Sequence, residues 1–400
     1  MTEQPVFGRR LRQLRTERGL TLAALAGEGM SAGYLSRLES GARQPTERAV
    51  AHLAEQLGIS PAELTETTAA SLARSLTLAT GLGQDEAGET LSEALKASGG
   101  EDPLLRWQAL WQVSEWRRRR QEHAEQRACL DELVALGTEA GLPELRARAL
   151  AELSRCMRST GEIADAVATA THAYELAKSE RLPARVEIAA LLALVSGLGE
   201  AGRLPEAAHY TDELLAVTQG GAPSLRAQAL WAAATTRSRQ GDPDAAAELM
   251  DQACQGFDGR DDLTMWMRVR INSARADLLT DPPRTERAQR RVEEVQAALP
   301  FAGAPATEQE LLAVRARIAV IKGRPDEARA ALDQLVGFDD RLTYQDRIRL
   351  DVLRNRVLLL EGEQAPALAG LRELAEQAQQ SGNMALTAEI WRFVAEALAE

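Results

Sequence analysis

The segment MSAGYLSRLESGARQP, at residues 30–45, contains the polar residues whose spacing most clearly suggests a chemical role. Ser31 is a favourable helix N-cap, so the pattern predicts one short helix. At helical spacing Leu35 and Leu38 lie on one side, which is the side that would face a core. The opposite side carries only small or polar residues, namely Ala32, Gly33, Ser36 and Arg37. Because a guanidinium can donate two parallel hydrogen bonds to paired acceptors, Arg37 is the residue best suited to recognise a partner directly.

Four further helices are predicted around this one. The first has Phe7, Leu11 and Leu14 at helical spacing. The second must stop near Gly27 and Gly29, because two glycines so close together make continuation of a helix costly. The tightest turn therefore lies between the second helix and the one that carries Arg37. In chain order the five predicted helices cover about residues 7–18, 21–27, 31–41, 46–57 and 60–64.

The order of these pieces resembles the Cro and phage-repressor type of helix-turn-helix, also called the xenobiotic-response-element (XRE) type, over about Phe7 to Leu64. The resemblance rests on Leu11-x-x-Leu14-Arg15-x-x-x-Gly19-Leu20-Thr21, Ser31-x-x-Tyr34-Leu35-Ser36-Arg37-Leu38-Glu39-x-Gly41, Pro45, and Leu53-Ala54-x-x-Leu57-Gly58. It implies an all-α protein whose residues 1–65 form a five-helix, lambda-repressor-like DNA-binding domain. In that family the third helix lies in the major groove of double-stranded DNA.

The resemblance also assigns roles around the third helix. Arg15 and Glu39 would form a structural ion pair between the first and third helices. The segment from Leu25 to Ser31 is one residue shorter than usual, which leaves the angle between the second and third helices open. Base edges would be read by Arg37, Ser36, Ala32 and Gly33, with the guanidinium donating to O6 and N7 of guanine.

Phosphate contacts are the second set of roles that the resemblance implies. Arg43 and the start of the fourth helix at Thr46 would bind phosphate oxygens. The family usually has a phosphate-anchoring Gln where this chain has Leu22, so the anchor would be Thr21 or Arg10. The alternative interpretation of this region is a small helical bundle that binds protein instead of DNA.

From residue 66 onward Ala and Leu dominate, and Gly or Pro interrupts the sequence at regular distances. At several places a turn-forming or small residue is followed five positions later by Ala. The pairs Arg119/Ala124 and Leu82/Ala87 fit this pattern only weakly. From position 119 onward the first members of such pairs lie 39 to 42 residues apart, so we count about eight units of about 40 residues. The clear pairs are Gly161/Ala166, Gly202/Ala207, Gly241/Ala246, Pro283/Ala288, Gly323/Ala328 and Gly362/Ala367.

Each unit is predicted to be a helix, a turn and a second helix, with the Ala at a point where the paired helices approach closely. This resembles the tetratricopeptide repeat (TPR), particularly the longer variety found in bacterial signal-transducing regulators. The fold expected for residues 66–400 is therefore an α-solenoid of about eight TPR-like helix pairs. The last helix, residues 385–399, is expected to cap the array, although its Trp391 and Phe393 could equally form a dimer surface.

In a TPR superhelix the first helices of the pairs line a concave groove, which is the usual place for a peptide or partner segment. An Arg-lined groove would suit a carboxylate or an acidic peptide. The alternative is that these arginines have no binding role and Arg is simply the usual cationic residue of this chain, since Lys occurs only at positions 96, 178 and 322. The family's geometry implies the groove candidates Arg155, Trp231, Thr235, Arg270, Arg317, Arg349 and Arg356.

The charge of the chain is divided unevenly between its two parts. Residues 1–65 carry eight Arg and seven Glu, a net charge of +1, whereas residues 66–400 carry 39 basic and 52 acidic residues, a net charge of −13. A DNA-binding end attached to an acidic body would look like this, because the body would avoid phosphates.

Other chemistry has little support in the sequence. We find no phosphate-binding loop and no nucleophile with a base at a recognisable spacing, so an enzyme and a cofactor are not expected. Cys129, Cys156 and Cys254 are odd in number and far apart, and the four His are scattered, so neither a disulfide nor a metal site is predicted. Without a leader segment or a run of roughly 20 apolar residues, the chain is expected to be cytoplasmic and not membrane-bound.

The leading hypothesis is a sequence-specific transcriptional regulator that binds double-stranded DNA as a homodimer. Its solenoid would sense a peptide, a small molecule or a protein. One alternative is a protein–protein adaptor that does not bind DNA and uses both parts to hold proteins. Another is a regulator whose solenoid is purely structural.

Overall fold

The computed structural model describes residues 6–61, 64, 68–97, 102–302, 305–336 and 342–399. Within these ranges the regular secondary structure comprises 21 α-helices and one short 3-10 helix, with no strand. The chain divides into two compact units, Met1–Trp116 and Arg117–Glu400. The boundary at residue 65 that the sequence suggests stays a prediction.

The first unit begins with the helices that were predicted around Arg37. Their ends lie within one or two residues of the predicted ones. The predicted fifth helix, at residues 60–64, includes positions outside the described residues. The elements are α1 (Val6–Glu17), α2 (Leu22–Ala26), the 3-10 helix (Gly27–Gly29), α3 (Ala32–Glu39), α4 (Glu47–Leu57), α5 (Thr68–Ala79) and α6 (Gln84–Ala97).

The apolar sides of α1 to α4 pack into one core. Gly8 lets α1 lie very close to the end of α3, because a Cβ at this position would collide with the carbonyl oxygen of Leu38. This close crossing fixes the orientation of α3 on the bundle. The largest side chains of the core are Phe7, Leu11, Leu14, Leu25, Leu35, Leu38, Leu53, Leu57 and Leu64, all of them buried.

The next helix, α7 (Pro103–Arg119), runs from the first unit into the second. The helices that follow in the second unit are α8 (His123–Glu139), α9 (Pro143–Thr160), α10 (Ile163–Ser179), α11 (Ala184–Glu200), α12 (Leu204–Val217), α13 (Pro223–Arg239), α14 (Pro243–Gln255), α15 (Leu263–Asp277), α16 (Thr285–Ala302), α17 (Pro305–Ile321), α18 (Pro325–Asp333), α19 (Tyr344–Leu360), α20 (Gln364–Gln380) and α21 (Met384–Ala399).

From α5 onward the helices alternate in chain order as eight pairs, α5/α6 to α19/α20, followed by α21. In the second unit each helix packs on the next one in the chain, and first helices also pack on the first helices of neighbouring pairs. The predicted all-α solenoid of about eight TPR-like helix pairs is confirmed.

The repeated turn and Ala of the sequence have a clear structural basis. Five of the six turn residues, all glycines, have positive φ values between 66° and 90°, a conformation that costs glycine little. The Ala five residues later is at most 1% exposed in each of the six clear pairs. Its small size allows the second helix of the pair to lie close to the first.

The two weak pairs are out of register with the structure. Between α7 and α8 the residue with positive φ is Gln121, at 59°, and the buried residue five positions later is Gln126 rather than the exposed Ala124. Between α5 and α6 the buried position is Gly88, where a Cβ would collide with the ring of Trp116. The sequence pattern missed these positions because neither has the usual Gly followed by Ala.

The second unit turns far enough for distant pairs to meet. Helix α9 contacts α19, and α11 contacts α21. Gly161 packs against the ring of Tyr344, and Gly202 packs against the side chain of Met384. The ends of several first helices that are far apart in the sequence are therefore brought together.

Candidate DNA interface and effector surface

The three helices that frame the predicted DNA interface all begin with a side-chain cap. The hydroxyls of Thr21, Ser31 and Thr46 accept hydrogen bonds from the backbone N–H groups of residues 24, 34 and 49, at 3.1, 3.2 and 3.2 Å. A hydroxyl that accepts one hydrogen bond can still donate its own hydrogen. Thr21 and Thr46 therefore keep a donor that suits a phosphate oxygen.

The outer side of α3, which we call the recognition face, consists of Ala32, Gly33, Ser36 and Arg37. All four residues are exposed, whereas Leu35 and Leu38 on the other side are fully buried. In the described part of the chain no hydrogen bond or ion pair holds the Arg37 guanidinium. A Cβ at Gly33 would meet nothing within 4 Å. The recognition face is thus small, open and free to approach a groove.

Arg15 and Glu39 tie α1 to the end of α3. Arg15 Nε donates to Glu39 Oε1 at 2.7 Å, and Arg15 Nη2 donates to Glu39 Oε2 at 3.0 Å. The third nitrogen, Nη1, donates to the carbonyl oxygen of Leu20 at 2.9 Å. This two-pronged geometry holds the recognition face on the bundle without using any of its residues.

The remaining predicted phosphate residues are Arg43 and Arg10. The Arg43 guanidinium lies 5.0 Å from the centre of the Tyr34 ring, a cation–π contact that keeps it beside α3. Arg10 is half-buried on α1. Leu22, where the family usually has Gln, packs against the apolar core.

The shortened turn between α2 and α3 is closed by His52, which sequence reasoning missed. Its Nε2 lies 2.9 Å from the carbonyl oxygen of Ala26, at the end of α2. A Cβ at Gly29 would be 2.6 Å from the imidazole, and Gly27 has a φ of 57°. The two glycines therefore let α4 approach the turn between α2 and α3.

The predicted groove residues of the solenoid do not all lie together. Thr235 Oγ1 donates to the Trp231 carbonyl oxygen at 3.0 Å, and Arg155 pairs with Glu152 on its own helix. Arg270 stacks on the Trp266 ring at 3.6 Å and donates to Glu294 on α16 at 2.8 Å.

Arg268, two residues before Arg270, lies near a different set of charges. Burial lowers the pKa of the Arg268 guanidinium, while Glu310 opposes that effect. Its guanidinium also lies 5.3 Å from the centre of the Trp231 ring. Arg268 therefore lies near residues of the first helices α13 and α17, whereas Arg270 lies beside the second helix α16.

Two of the other predicted residues, Arg317 and Arg349, belong to one charged group. We define the arginine cluster as Arg158, Arg239, Arg317 and Arg349 together with the carboxylates of Glu200 and Glu389. Arg158 Nε donates to Glu200 Oε1 at 3.0 Å, and Arg239 Nη2 lies 4.0 Å from the same oxygen. Arg349 Nη2 donates to Glu389 Oε2 at 3.5 Å.

Arg356, the remaining predicted residue, lies beside this cluster and stacks on Phe393 at 4.5 Å. Phe393 is only 8% exposed, whereas Trp391 is 42% exposed. Of the two aromatic residues suggested for a dimer surface, only Trp391 is accessible.

In the arginine cluster, burial opposes the attraction between the arginines and the carboxylates. Burial lowers the pKa of Arg239 to about 10, although Glu200 acts in the opposite direction. Burial likewise lowers the pKa of Arg317 to about 10, against the effect of Glu389. Burial raises the pKa of Glu389, but the neighbouring arginines Arg349 and Arg317 outweigh it and the net shift is downward. Burial thus outweighs the carboxylates at Arg239 and Arg317. At Arg349 burial also acts to lower the pKa, but Glu389 and Asp346 outweigh it and the net shift is upward.

Four of the six residues of this cluster, including Glu389, were missed by sequence reasoning. Arg158, Glu200 and Arg239 lie two or three residues before the turn glycines, in the last turn of a first helix. The groove candidates were counted at positions further back along each helix. Charged residues immediately before the turn were the signal that could have revealed these three residues, whereas Glu389, inside α21, had no such signal.

Known proteins resemble both parts of this chain. A family model described as a helix-turn-helix domain matches residues 6–67. The chain is similar to NprR in complex with its cognate peptide NprX, with 13% sequence identity, a TM-score of 0.57, and coverage of 94% of this chain and 100% of that chain. It is also similar to a Rap protein complexed with Competence and Sporulation Factor, with 10% identity, a TM-score of 0.56, and coverage of 98% and 97%.

A third similar structure is the Rap conjugation gene regulator of the plasmid pLS20 in complex with the Phr* peptide. The identity is 12% and the TM-score 0.56, with coverage of 83% of this chain and 97% of that chain. No curated protein sequence gave a significant match. Neither the family model nor these three structures are described as enzymes.

The chain therefore combines an N-terminal helix-turn-helix domain with a TPR-like α-solenoid. The three solved structures support this fold. Among the helices of the described ranges, none has both the length and the apolar character needed to cross a bilayer.

Proposed function

We propose that this chain is a sequence-specific, DNA-binding transcriptional regulator that acts as a homodimer and responds to an effector bound by its solenoid. The observation that carries the proposal is the recognition face of α3. It is exposed, small and polar, and it presents an Arg37 guanidinium that no described residue holds. In a helix-turn-helix domain this is the side that meets the major groove.

The DNA contacts follow from the chemistry of the helix and its surroundings. Arg37 donates to O6 and N7 of a guanine, Ser36 adds one polar contact, and the lack of bulk at Ala32 and Gly33 allows close approach. Thr21, Arg43, Thr46 and Arg10 bind phosphates and fix the position of α3 along the duplex.

A homodimer is proposed because one small domain can read only a short half-site. Two domains held at a spacing of about 34 Å, one turn of the double helix, read two half-sites together. Linking two weak contacts in this way raises the affinity without any new type of contact.

The effector is proposed to bind on the inner surface of the solenoid. Two of the similar solved structures are described in complex with a peptide, which makes a peptide one candidate besides a small molecule or a protein. An effector changes DNA binding only if it has different affinities for two arrangements of the solenoid. The contacts of α9 with α19 and of α11 with α21 are a place where two such arrangements could differ.

The test is the selection of bound fragments from pooled genomic DNA by the full-length protein. We expect enrichment of a sequence with two related half-sites, and binding that weakens steeply as salt rises. The half-sites should contain a guanine that Arg37 can reach.

An absence of enrichment at low salt, while the protein remains folded, would contradict DNA binding and support the protein–protein adaptor. Enrichment of a single, unpaired half-site would contradict the homodimer alone. These two outcomes therefore test separate parts of the proposal.

A further inference from the structure

We propose that the arginine cluster is a binding site for a compact dianion, meaning a small molecule with two carboxylates or one phosphate group. The inference rests on the proposed function, since it names the chemistry of the effector. It is nevertheless tested by direct binding, without DNA.

The first argument is charge. The four guanidinium groups of the cluster share the carboxylates of Glu200 and Glu389. Asp346 adds a third carboxylate near Arg349, and Arg356 adds a fifth guanidinium near Arg317, so these groups together keep a net charge of +2. Glu200 serves both Arg158 and Arg239, and Glu389 lies near both Arg349 and Arg317. Uncompensated charge in a partly dry site is costly, and an anion that supplies two negative charges removes that cost.

The second argument is unused hydrogen-bonding capacity. Arg317 Nε is buried from solvent, yet it donates no hydrogen bond to a described residue. Arg239 reaches Glu200 only at 4.0 Å, which is too long for a hydrogen bond. A guanidinium presents five N–H donors in a fixed plane, a geometry that matches carboxylate and phosphate oxygens.

The third argument is that the site is shaped for its arginines. The Arg239 guanidinium lies directly on the backbone of α11 at Gly199, where a Cβ would collide with Nη1. The Arg239 side chain is 16% exposed, Arg158 is 22% exposed and Arg349 is 38% exposed. Partial exposure of these groups gives a small anion a route from solvent.

The position of the cluster suggests how the dianion acts. Its arginines come from α9, α13, α17 and α19, and its carboxylates from α11 and α21. These include both helix pairs that meet across the solenoid, α9 with α19 and α11 with α21. A bound dianion would therefore connect segments far apart in the sequence and favour the closed arrangement in which they touch.

The binding experiment uses the full-length protein with succinate and inorganic phosphate as probes at pH 7.5. Acetate and sodium chloride at the same ionic strength are the controls. We expect succinate or phosphate to raise the melting temperature in a saturable way by several degrees, and calorimetry to give one site per chain. The probe that binds more tightly separates a dicarboxylate from a phosphate ligand.

Matched variants locate the site. Arg317→Gln and Arg239→Gln should each weaken dianion binding at least tenfold. Arg315→Gln and Arg237→Gln change exposed residues of the same two helices and should bind like the wild type. Because Arg317 is a half-buried cation whose Nε has no hydrogen-bond partner among the described residues, Arg317→Gln should not lower the melting temperature of the ligand-free protein.

A variant with the opposite effect completes the test. Glu389→Gln removes an internal carboxylate and makes the cluster more positive, so it should bind the dianion more tightly. The proposal is overturned if the dianions act no differently from sodium chloride, or if Arg317→Gln and Arg315→Gln behave alike. Stabilisation by an acidic peptide but by neither dianion would also overturn it, and the proposed function would stand. The proposed function would likewise stand if the dianions failed to bind while operator selection succeeded.

Discussion

The recognition face and the arginine cluster both offer guanidinium groups to a partner, but they hold them in opposite ways. Arg37 lies on an eight-residue helix and is exposed, so water solvates its charge until DNA replaces that water. Arg239 and Arg317 are held on different helices of a large unit, where burial lowers their pKa values to about 10. The first site depends on its local scaffold, and the second on the closure of a solenoid.

This difference affects how each site responds to its partner. An exposed Arg costs little when unbound, so the recognition face is suited to repeated binding and release without a change of fold. A buried excess of positive charge destabilises the unbound state, so a ligand that neutralises it changes the stability of the whole arrangement. The recognition face is suited to recognising a DNA sequence, and the arginine cluster is suited to sensing a ligand.

The largest effect is expected when the scaffold of the recognition face is damaged. Leu35→Ala removes a fully buried side chain on the opposite side of α3 from Arg37 and should cost about 2–5 kcal/mol. Hydrogen exchange of the α1 and α3 amides would measure the loss. Gly33→Ala is the control on the same helix, because its Cβ enters open space and Ala favours a helix. If both variants left exchange unchanged, the core described for α3 would be wrong.

The corresponding damage to the solenoid should be smaller. Ala328→Leu forces a large side chain into a position with 0% exposure between paired helices and should cost about 1–3 kcal/mol. Ala124→Leu, at the exposed position that the sequence pattern suggested, should be nearly neutral. Urea unfolding of the two variants compares them directly. Equal destabilisation would contradict the register in which Gln126 replaces Ala124.

The third effect concerns binding alone. Arg37→Ala should cost about 1–3 kcal/mol at a cognate site and should relax the preference at one base pair. Arg43→Ala should weaken binding to all sequences alike, because a phosphate contact carries no sequence information. Competition binding with cognate and scrambled DNA measures both. Unchanged sequence preference in Arg37→Ala would remove this residue as the base reader.

The contrast also explains what the sequence could predict. The recognition face lies within one short helix, so a cap, two leucines and helical periodicity were enough to place all four residues. The repeats were found because a glycine with positive φ and a buried Ala recur in each pair, and both leave a local signal.

The arginine cluster has no such local signal. Arg317 and Arg349 were found by counting back from the turns, but the same count selected Arg270, which stacks on Trp266 instead. Which first-helix residues meet depends on how far the solenoid turns over many pairs. That rotation is the sum of small packing angles, and it decides that Arg239 lies near Arg349.

The smallest expected effect is a change in how the stability of the protein depends on pH, and it concerns the arginine cluster. Arg349 and Arg317 outweigh burial and lower the pKa of Glu389 below its ordinary 4.5. A carboxyl with a lowered folded pKa contributes stability above its unfolded pKa, and that contribution is lost as the pH falls through the folded pKa. The wild type should therefore be more stable than Glu389→Gln at pH 7. The difference should begin to shrink near the ordinary pKa of 4.5 and disappear once the pH is below the folded pKa of Glu389. Melting temperatures from pH 7 to pH 3 measure it, with Glu396→Gln on the exposed side of the same helix as the control. A difference that stayed constant with pH would mean that Glu389 stabilises α21 by packing and not by its charge, and the arginine cluster would then lose one of its two internal counter-ions.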